Sequence, residues 1–209
     1  MNRKDFIINS SLAVFAVIAT SSCKKDNDNN SLVGGTVAPE EDCETTSDIL
    51  GPYFRAGAPD RYDLTFAGLT GNVIELHGLV LEDDCTTPLE NALVEVWHCD
   101  TNGDYDNTSA SFLHRGTRTT GADGKYAFKT ILPGKYLNGT LYRPSHIHFK
   151  ITHPDMNELV SQIYFQNDPH IEDDPWASTP NAVNRILPIT LEDVNGNLAV
   201  EFDISLSES

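Results

Sequence analysis

Two histidines separated by a single residue have the residue type and the spacing that could hold a metal ion. His146 and His148 lie in the string RPSHIHF, residues 143–149. Because residues two apart on a strand point to the same face, both imidazoles could reach one metal. A His-x-His pair is also common on exposed strands that bind nothing. The pair alone therefore leaves the metal site open.

Short β-prone runs separated by turn residues predict the elements that must position these side chains. We expect strands at residues 73–81, 92–98, 126–131, 146–152, 159–165, 186–191 and 198–204, with the last pair joined around Asn195-Gly196. No apolar pattern of helical period persists after the first 20 residues. The sequence predicts one all-β domain, an antiparallel β-sandwich with long loops.

Other residues with chemical potential fall in ordered strings along the same chain. Tyr105 ends the string WHCDTNGDY at residues 97–105, and Tyr136 ends ILPGKY at residues 131–136. Together with GPYF at 51–54, VEVW at 94–97, RPSHIHF and QIYF at 162–165, these strings resemble the intradiol ring-cleavage dioxygenases. The resemblance is closest to the protocatechuate 3,4-dioxygenase type and covers roughly residues 50–203 in matching order.

The resemblance implies a non-haem iron(III) centre. Tyr105 and His146 would be equatorial ligands, and Tyr136 and His148 axial ligands. Phenolates are hard anionic donors that favour ferric over ferrous iron, and the ferric ion favours their deprotonation. The fold implied is a transthyretin-like β-sandwich. The reaction implied inserts both atoms of O2 into a catechol-type ring, between its two hydroxyls, to give a cis,cis-muconate-type diacid.

The resemblance also implies roles for residues beside the metal. Tyr136 would leave the metal when the substrate binds and collect a proton from it. Arg143 would stabilise the negative charge that develops during the reaction, and Gln162 would orient Arg143 or the substrate. Residues 137–142 form a shorter link than the family often has there. The substrate therefore stays open between catechol, protocatechuate, hydroxyquinol and a larger lignin-derived diol.

A non-catalytic module is the alternative interpretation. A transthyretin-like or carbohydrate-binding β-sandwich surface lipoprotein would have the same fold, and the fold alone supports both functions equally. Iron binding discriminates between them, because only the enzyme requires the metal.

The N-terminus has the pattern of an export signal. Basic residues precede an apolar run at residues 6–20, which is too short to span a bilayer, and small residues precede Cys23. This layout predicts a lipoprotein signal peptide at 1–22 with lipidation of Cys23. The polar residues 23–41 predict a flexible tether, and residues 42–209 the dioxygenase domain. We expect an exported cell-envelope lipoprotein, on the periplasmic side or the cell surface.

Three cysteines remain after the predicted cleavage and lipidation: Cys43, Cys85 and Cys99. An oxidising compartment favours a disulfide. Cys85 precedes a turn and Cys99 ends the next predicted strand, so we expect a Cys85–Cys99 bond that leaves Cys43 over. A zinc site is the rival, but three thiols at these spacings match no common zinc pattern.

The charge balance limits the classes of partner that the protein can bind. The chain has 14 basic and 31 acidic residues, for a formal net charge of −17. Nucleic acids and anionic membranes require clustered Lys and Arg. We therefore expect a small catechol-type substrate and O2 as partners, no nucleic acid, and membrane contact only through the N-terminal lipid anchor. A homo-oligomer is compatible with the family resemblance.

Overall fold

The computed structural model describes residues 43–191 and 197–209, whose regular secondary structure is almost entirely β. Its elements are β1 (Val73–Leu81), β2 (Leu93–Trp97), β3 (Arg115–Thr119), β4 (Lys125–Ile131), β5 (Tyr136–Asn138), β6 (Leu141–Arg143), β7 (His146–Thr152), β8 (Leu159–Phe165), a 3-10 helix (Pro180–Arg185), β9 (Ile186–Leu187), β10 (Thr190–Leu191), β11 (Leu198–Glu201) and β12 (Ile204–Ser205). No helix within these ranges is long and apolar enough to cross a membrane. The predicted signal peptide, Cys23, the tether and the Asn195-Gly196 turn lie outside the described residues.

Two five-stranded sheets pack on one hydrophobic core. In the first sheet β1 pairs with β4 along one edge and with β11 and then β12 along the other, and β10 pairs with β11. The second sheet has the order β3-β2-β7-β8-β9. Alternate residues of both sheets, such as Ile74, Phe128, Val94 and Phe149, are fully buried in a single cluster. The predicted all-β sandwich is therefore confirmed.

The sheets are mixed, where the sequence predicted antiparallel pairing throughout. β1 runs parallel to β11 and β12, and β8 runs parallel to β9. Parallel neighbours require a long crossover connection, and residues 166–185 between β8 and β9 provide one. The sequence also gave no sign of β3, whose string RGTRT lacks apolar residues. β3 forms because its backbone pairs with β2.

The disulfide prediction was wrong. Cys43 bonds Cys85, with a Cα–Cα distance of 6.1 Å, and Cys99 is a buried free thiol. Cys85 lies in the turn before β2, whereas Cys99 lies beyond the far end of that strand. The five residues of β2 hold the two ends of that strand roughly 17 Å apart, a distance that no disulfide can bridge. Cys99 Sγ instead donates a hydrogen bond to the carbonyl of Gly134, at 3.2 Å.

Residues 43–54, which we call the N-terminal strap, have no regular secondary structure yet are tied to both sheets. The amide of Thr45 donates to the carbonyl of Ser205, and the amide of Asp48 donates to the carbonyl of Val160. The disulfide fixes the first residue of the strap to the turn after β1. The strap therefore has a fixed course from the first sheet to β8 of the second.

Candidate metal centre and active site

Strand β7 brings both predicted histidines to one place. His146 and His148 are 0% and 1% exposed, and their ring centroids are 5.0 Å apart. Ile147 and Phe149, between and after them, point into the core. The histidines thus lie on the outer face of the sheet, and the segments that cover this face bury them. Gly51 of the strap lies against the His148 ring, and an added Cβ there would be 3.1 Å from Cε1.

Two tyrosines from separate loops meet these histidines. The Tyr105 hydroxyl is 3.3 Å from His146 Nε2. The Tyr136 ring lies 5.9 Å from the Tyr105 ring and 5.6 Å from the His146 ring, between centroids. All four predicted metal ligands are therefore brought together, from positions spread over 44 residues of sequence.

Gly103 allows the two tyrosine-bearing segments to approach each other. Its φ is +92°, and an added Cβ would lie 2.6 Å from the carbonyl oxygen of Lys135 and 2.7 Å from Cβ of Tyr136. A side chain at this position would collide with backbone that has little room to move. The glycine therefore sets how closely Tyr105 can approach Tyr136.

The hairpin of β5 and β6 holds Tyr136 beside Arg143. The two residues are direct cross-strand partners, so their side chains lie on the same face. From the sequence, residues 137–142 were interpreted only as a short link. In the structure they contain a hairpin whose two-residue turn is Gly139-Thr140, with Gly139 at φ +66°. The shortness of this link therefore has a structural consequence, because it sets the guanidinium opposite the phenol.

Hydrogen bonding leaves imidazole nitrogens available to a metal. His146 Nδ1 lies 2.7 Å from the carbonyl of Pro144, to which it donates, so the lone pair on Nε2 faces the Tyr105 hydroxyl. His148 Nδ1 is buried without a hydrogen bond of ordinary geometry, and the polar group beside the ring is the backbone of Ile49. An orphaned buried nitrogen is costly unless something binds it, and a backbone carbonyl that fixes the tautomer of a histidine is a common feature of metal sites.

Burial keeps both imidazoles neutral. Desolvation lowers the pKa of His146 to about 3, and the Arg143 charge adds to this effect. The pKa of His148 falls well below its ordinary value, through desolvation and then through His146 and Arg143. Neutral imidazole is the form that binds metals. Both histidines are therefore in the ligating form at neutral pH.

The phenols need a cation before they ionise. Desolvation raises the pKa of Tyr105 well above its ordinary value, and Cys99 and Tyr136 add to the shift. Desolvation also raises the pKa of Tyr136, although the charge and hydrogen bond of Arg143 oppose it. A bound metal ion would invert this balance. Among the described residues, His, Cys, Asp and Glu form no metal-binding group of three, so a metal here must take donors from the tyrosines. The set of two phenolates and two imidazoles fits iron(III).

Arg143 and Gln162 lie next to this cluster and touch each other. Arg143 Nη2 donates to Gln162 Oε1 at 3.2 Å. Arg143 Nε donates to Asp174 at 2.9 Å, and the two side chains are 3% and 1% exposed. Burial opposes the guanidinium charge, but the hydrogen bond and charge of Asp174 outweigh it and raise the pKa of Arg143. The Trp176 ring lies under the guanidinium, with 4.3 Å between the ring centroid and the guanidinium carbon.

Asp174 is a functional residue that sequence reasoning did not identify. It ends the acidic string Glu172-Asp173-Asp174, whose first two residues are exposed, but Asp174 itself is buried. Its Oδ1 accepts the amides of Trp176 and Ala177 while its Oδ2 faces Arg143. The folded loop therefore uses this carboxylate to hold the guanidinium, and nothing in the local sequence distinguishes it from its neighbours.

Two further residues at the site lie on the strap. The Tyr53 ring stacks on Tyr105 at 4.3 Å and lies edge-on to Tyr136 at 6.2 Å. Asp48 accepts hydrogen bonds from Gln162 and Tyr164. Tyr53 and Tyr164 belong to the strings GPYF and QIYF, which could have indicated them. Asp48 belongs to no string, and sequence reasoning missed it.

Comparison with known proteins matches these features to one family. The family model described as "Dioxygenase" matches residues 49–208, a range that contains both histidines, both tyrosines, Arg143 and Gln162. The chain belongs to the intradiol dioxygenases. The family match begins on the strap at residue 49 and extends beyond the last strand, so it covers every site residue named above except Asp48.

Three curated relatives illustrate the family. Chlorocatechol 1,2-dioxygenase from Rhodococcus opacus is 29% identical over 79% of this chain and 73% of its own length. Catechol 1,2-dioxygenase 2 from Acinetobacter lwoffii is 35% identical over 62% of this chain and 54% of its own. The protocatechuate 3,4-dioxygenase beta chain from Burkholderia cepacia is 38% identical over 65% of each chain. The chain thus spans from about half to three quarters of the length of these relatives.

Solved structures share the fold. The dioxygenase domain of a dioxygenase carbohydrate-binding protein fusion from Streptomyces sp. SirexAA-E has a TM-score of 0.68 and 31% identity, and covers 79% of this chain and 99% of that one. The 3-chlorocatechol 1,2-dioxygenase from Rhodococcus opacus 1CP has a TM-score of 0.71 at 23% identity, over 80% of this chain and 74% of that one. The second likeness concerns the fold alone.

Proposed function

We propose that the protein is a non-haem iron(III) intradiol dioxygenase that cleaves a catechol-type ring between its two hydroxyls. Both atoms of O2 enter the product, a cis,cis-muconate-type diacid. The observation that carries the proposal is the convergence of Tyr105, Tyr136, His146 and His148, with both imidazoles neutral and Tyr105 at 3.3 Å from His146. Relatives named as catechol, chlorocatechol and protocatechuate dioxygenases support this substrate class.

Of the two tyrosine ligands, Tyr105 would be fixed and Tyr136 exchangeable. Tyr105 is held by Tyr53 on its face and by His146 at its hydroxyl. Tyr136 lies at the start of a three-residue strand whose next two residues are exposed. When bound, iron(III) acts as a Lewis acid that favours ionised phenols and draws electron density from a bound diol. Tyr136 would then accept a proton from a substrate hydroxyl, because desolvation raises its pKa and so favours the neutral phenol.

Arg143 would supply fixed positive charge beside the reacting ring. Its raised pKa keeps it charged at every working pH, and Asp174, Gln162 and Trp176 hold it in one orientation. A preorganised charge stabilises negative charge that develops in the transition state without further reorganisation. Gln162 fixes the direction of the guanidinium through its carbonyl oxygen.

The first experiment is a visible absorption spectrum beside an iron assay, on protein that begins at Lys24. We expect a broad tyrosinate-to-iron(III) charge-transfer band that shifts when catechol, protocatechuate or hydroxyquinol is added. Tyr136→Phe should remove most of the band, whereas the matched control Tyr142→Phe, a change at an exposed tyrosine of the same hairpin, should leave it intact. A protein that stays colourless and iron-free after reconstitution would leave the non-catalytic β-sandwich module as the better reading.

We further propose that the chain is exported and anchored through a lipid on Cys23. The support is the layout of residues 1–23 in the sequence. Expression of the full chain with a radiolabelled fatty acid should label the protein and carry it into the membrane fraction. Cys23→Ala should abolish the label. Equal labelling of both proteins, or none of either, would contradict the lipid anchor.

A further inference from the structure

Arg143 and Gln162 are oriented by buried groups rather than by solvent. Arg143 Nη2 donates to Gln162 Oε1 at 3.2 Å and also to the Tyr164 hydroxyl at 3.3 Å. Gln162 and Tyr164 are both fully buried, two residues apart on β8. Two parallel hydrogen bonds therefore fix this end of the guanidinium from the same strand.

Both of these supports lead to the carboxylate of Asp48. Gln162 Nε2 donates to Asp48 Oδ1 at 3.0 Å, and the Tyr164 hydroxyl donates to Asp48 Oδ2 at 2.9 Å. The carboxylate is 3% exposed, and its charge is balanced by Arg185, whose Nη1 lies 2.7 Å away. Asp48 is on the strap, so a segment outside the sheets completes the network.

The chemistry of the acceptors decides the orientation of the amide. An ionised carboxylate and a backbone carbonyl can only accept hydrogen bonds. Gln162 Nε2 faces both Asp48 Oδ1 and the carbonyl of Ile49, each at 3.0 Å. The amide must turn its NH2 group to the strap and its oxygen to Arg143. Tyr164 is constrained in the same way, because its only proton goes to Asp48 and its lone pair is left for the guanidinium.

We infer that Asp48 is a positioning residue, which acts through Gln162 and Tyr164 to hold the Arg143 guanidinium in its working orientation. The inference rests on the proposed function for the role of Arg143, although the hydrogen-bond network stands without it. Asp48 contacts neither the ligand tyrosines nor the histidines in the observed network. Its effect should therefore appear in turnover and not in iron binding.

Two variants separate positioning from folding. Tyr164→Phe keeps the buried ring and removes only the bridging hydroxyl. The double variant Asp48→Asn with Arg185→Gln removes both charges of the buried pair, so no uncompensated charge remains to unfold the protein. It also replaces one of the two acceptors of the Gln162 NH2 group, a carboxylate that only accepts, by an amide that can accept or donate. Tyr142→Phe is the matched control, since this exposed tyrosine has no contact with Arg143 in the network.

Steady-state kinetics with catechol give the first readout. We expect kcat to fall about 10- to 100-fold in each of the two variants, because displacement by about an ångström costs up to that factor. KM, iron per chain and the charge-transfer band should change little, and Tyr142→Phe should match the wild type. An unchanged kcat in both variants would overturn the inference. So would a loss of kcat that merely follows loss of iron, since that result indicates a structural role.

The second readout does not depend on activity. In protein loaded with diamagnetic gallium(III), the side-chain amide protons of Gln162 should exchange slowly with solvent in the wild type and lose this protection in the double variant. Retained protection would overturn the inference. If the wild type binds iron and cleaves no diol, the proposed function fails, and this exchange measurement still decides whether Asp48 orients Gln162.

Discussion

Single residues at the site have unusual surroundings that explain why only those residue types work there. His146 Nδ1 donates to a backbone carbonyl and Nε2 faces the Tyr105 hydroxyl, so each ring nitrogen has a defined partner. Gly103 has a left-handed backbone and backbone atoms where a Cβ would stand. At this scale the chemistry depends on groups that are restrained by neighbours far away in the sequence.

Gly103→Ala should weaken the metal centre. A non-glycine residue at positive φ costs about 1–2 kcal/mol, and at this position the new methyl must also push apart the segments of Tyr105 and Tyr136. We expect a lower free energy of unfolding in urea and less iron bound per chain. Gly139→Ala is the control, because Gly139 shares the positive φ but has no atom within 4 Å of a Cβ. It should lose only the backbone contribution and keep its iron; equal iron loss in both variants would contradict the role of Gly103.

Asp84 should titrate far below an ordinary aspartate. Hydrogen bonds from the Thr87 hydroxyl and amide, and then from the Thr86 amide, lower its pKa to about 2. Because the folded pKa is depressed, its contribution to stability is present above pH 4 and is lost as the pH falls toward 2. A carboxyl-detected NMR titration should give this value, and Thr87→Val should shift it upward toward about 3.9. A titration midpoint that does not move in Thr87→Val would count against the hydrogen-bond explanation.

At the scale of elements, the site is assembled from pieces with little regular structure. Only His146, His148, Gln162 and Tyr164 lie on long strands. Tyr136 and Arg143 come from a hairpin of three-residue strands, Tyr105 from a loop and Asp48 from the strap. The strap is therefore as much a part of the active site as the strands are, and its attachment should affect the rest of the domain.

Reduction of the Cys43–Cys85 disulfide should destabilise the domain. The bond closes a loop with a sequence separation of 42, and such cross-links typically contribute about 2–4 kcal/mol by restricting the unfolded chain. We expect the free energy of unfolding in urea to fall by this amount with reductant present.

The matched control for this prediction is Cys99→Ser. Its thiol is outside the disulfide, so the response to reductant should persist in this variant. A double variant Cys43→Ser, Cys85→Ser should unfold like the reduced wild type and ignore reductant. Identical unfolding energies of the oxidised and reduced wild type would show that the cross-link contributes nothing.

At the scale of the whole molecule, the protein combines a strongly acidic composition with a positively charged group at its reactive centre. The net charge of −17 means that carboxylates on the surface repel one another. Arg143 and Arg185, in contrast, are each neutralised by a buried carboxylate. Buried pairs are screened little by salt, and surface charges are screened strongly. Salt should therefore act on the surface and leave the site unchanged.

Low concentrations of salt should stabilise the protein. Between about 10 mM and 150 mM NaCl the Debye length falls from about 30 Å to about 8 Å, which weakens repulsion among surface carboxylates. We expect the midpoint of unfolding in urea at pH 7 to rise over this range, while iron content stays constant. KCl should produce the same rise, since the effect is one of ionic strength. A midpoint that falls with salt would indicate that surface ion pairs outweigh the repulsion.

Much of the fold was evident from the sequence because its signal is local. Short β-prone runs bounded by turn residues marked the strands at residues 73–81, 146–152 and 159–165, and the structure has them at those bounds. The two-residue period of a strand predicted that His146 and His148 share a face. The order of the strings around Tyr105, Tyr136, Arg143 and Gln162 led to the family, which the comparison confirmed, and to the site residues that the structure brings together.

What the sequence left undecided depends on contacts between distant segments. Cys43 rather than Cys99 pairs with Cys85, because the strap begins beside that turn whereas Cys99 lies beyond the far end of β2. Asp48 is more than 110 residues from Gln162 and Tyr164, and Asp174 resembles its two exposed neighbours until the loop folds. Local patterns specify which side chains share a face of one strand. Which segment covers that face, and which carboxylate it delivers, is decided only when the chain packs in three dimensions.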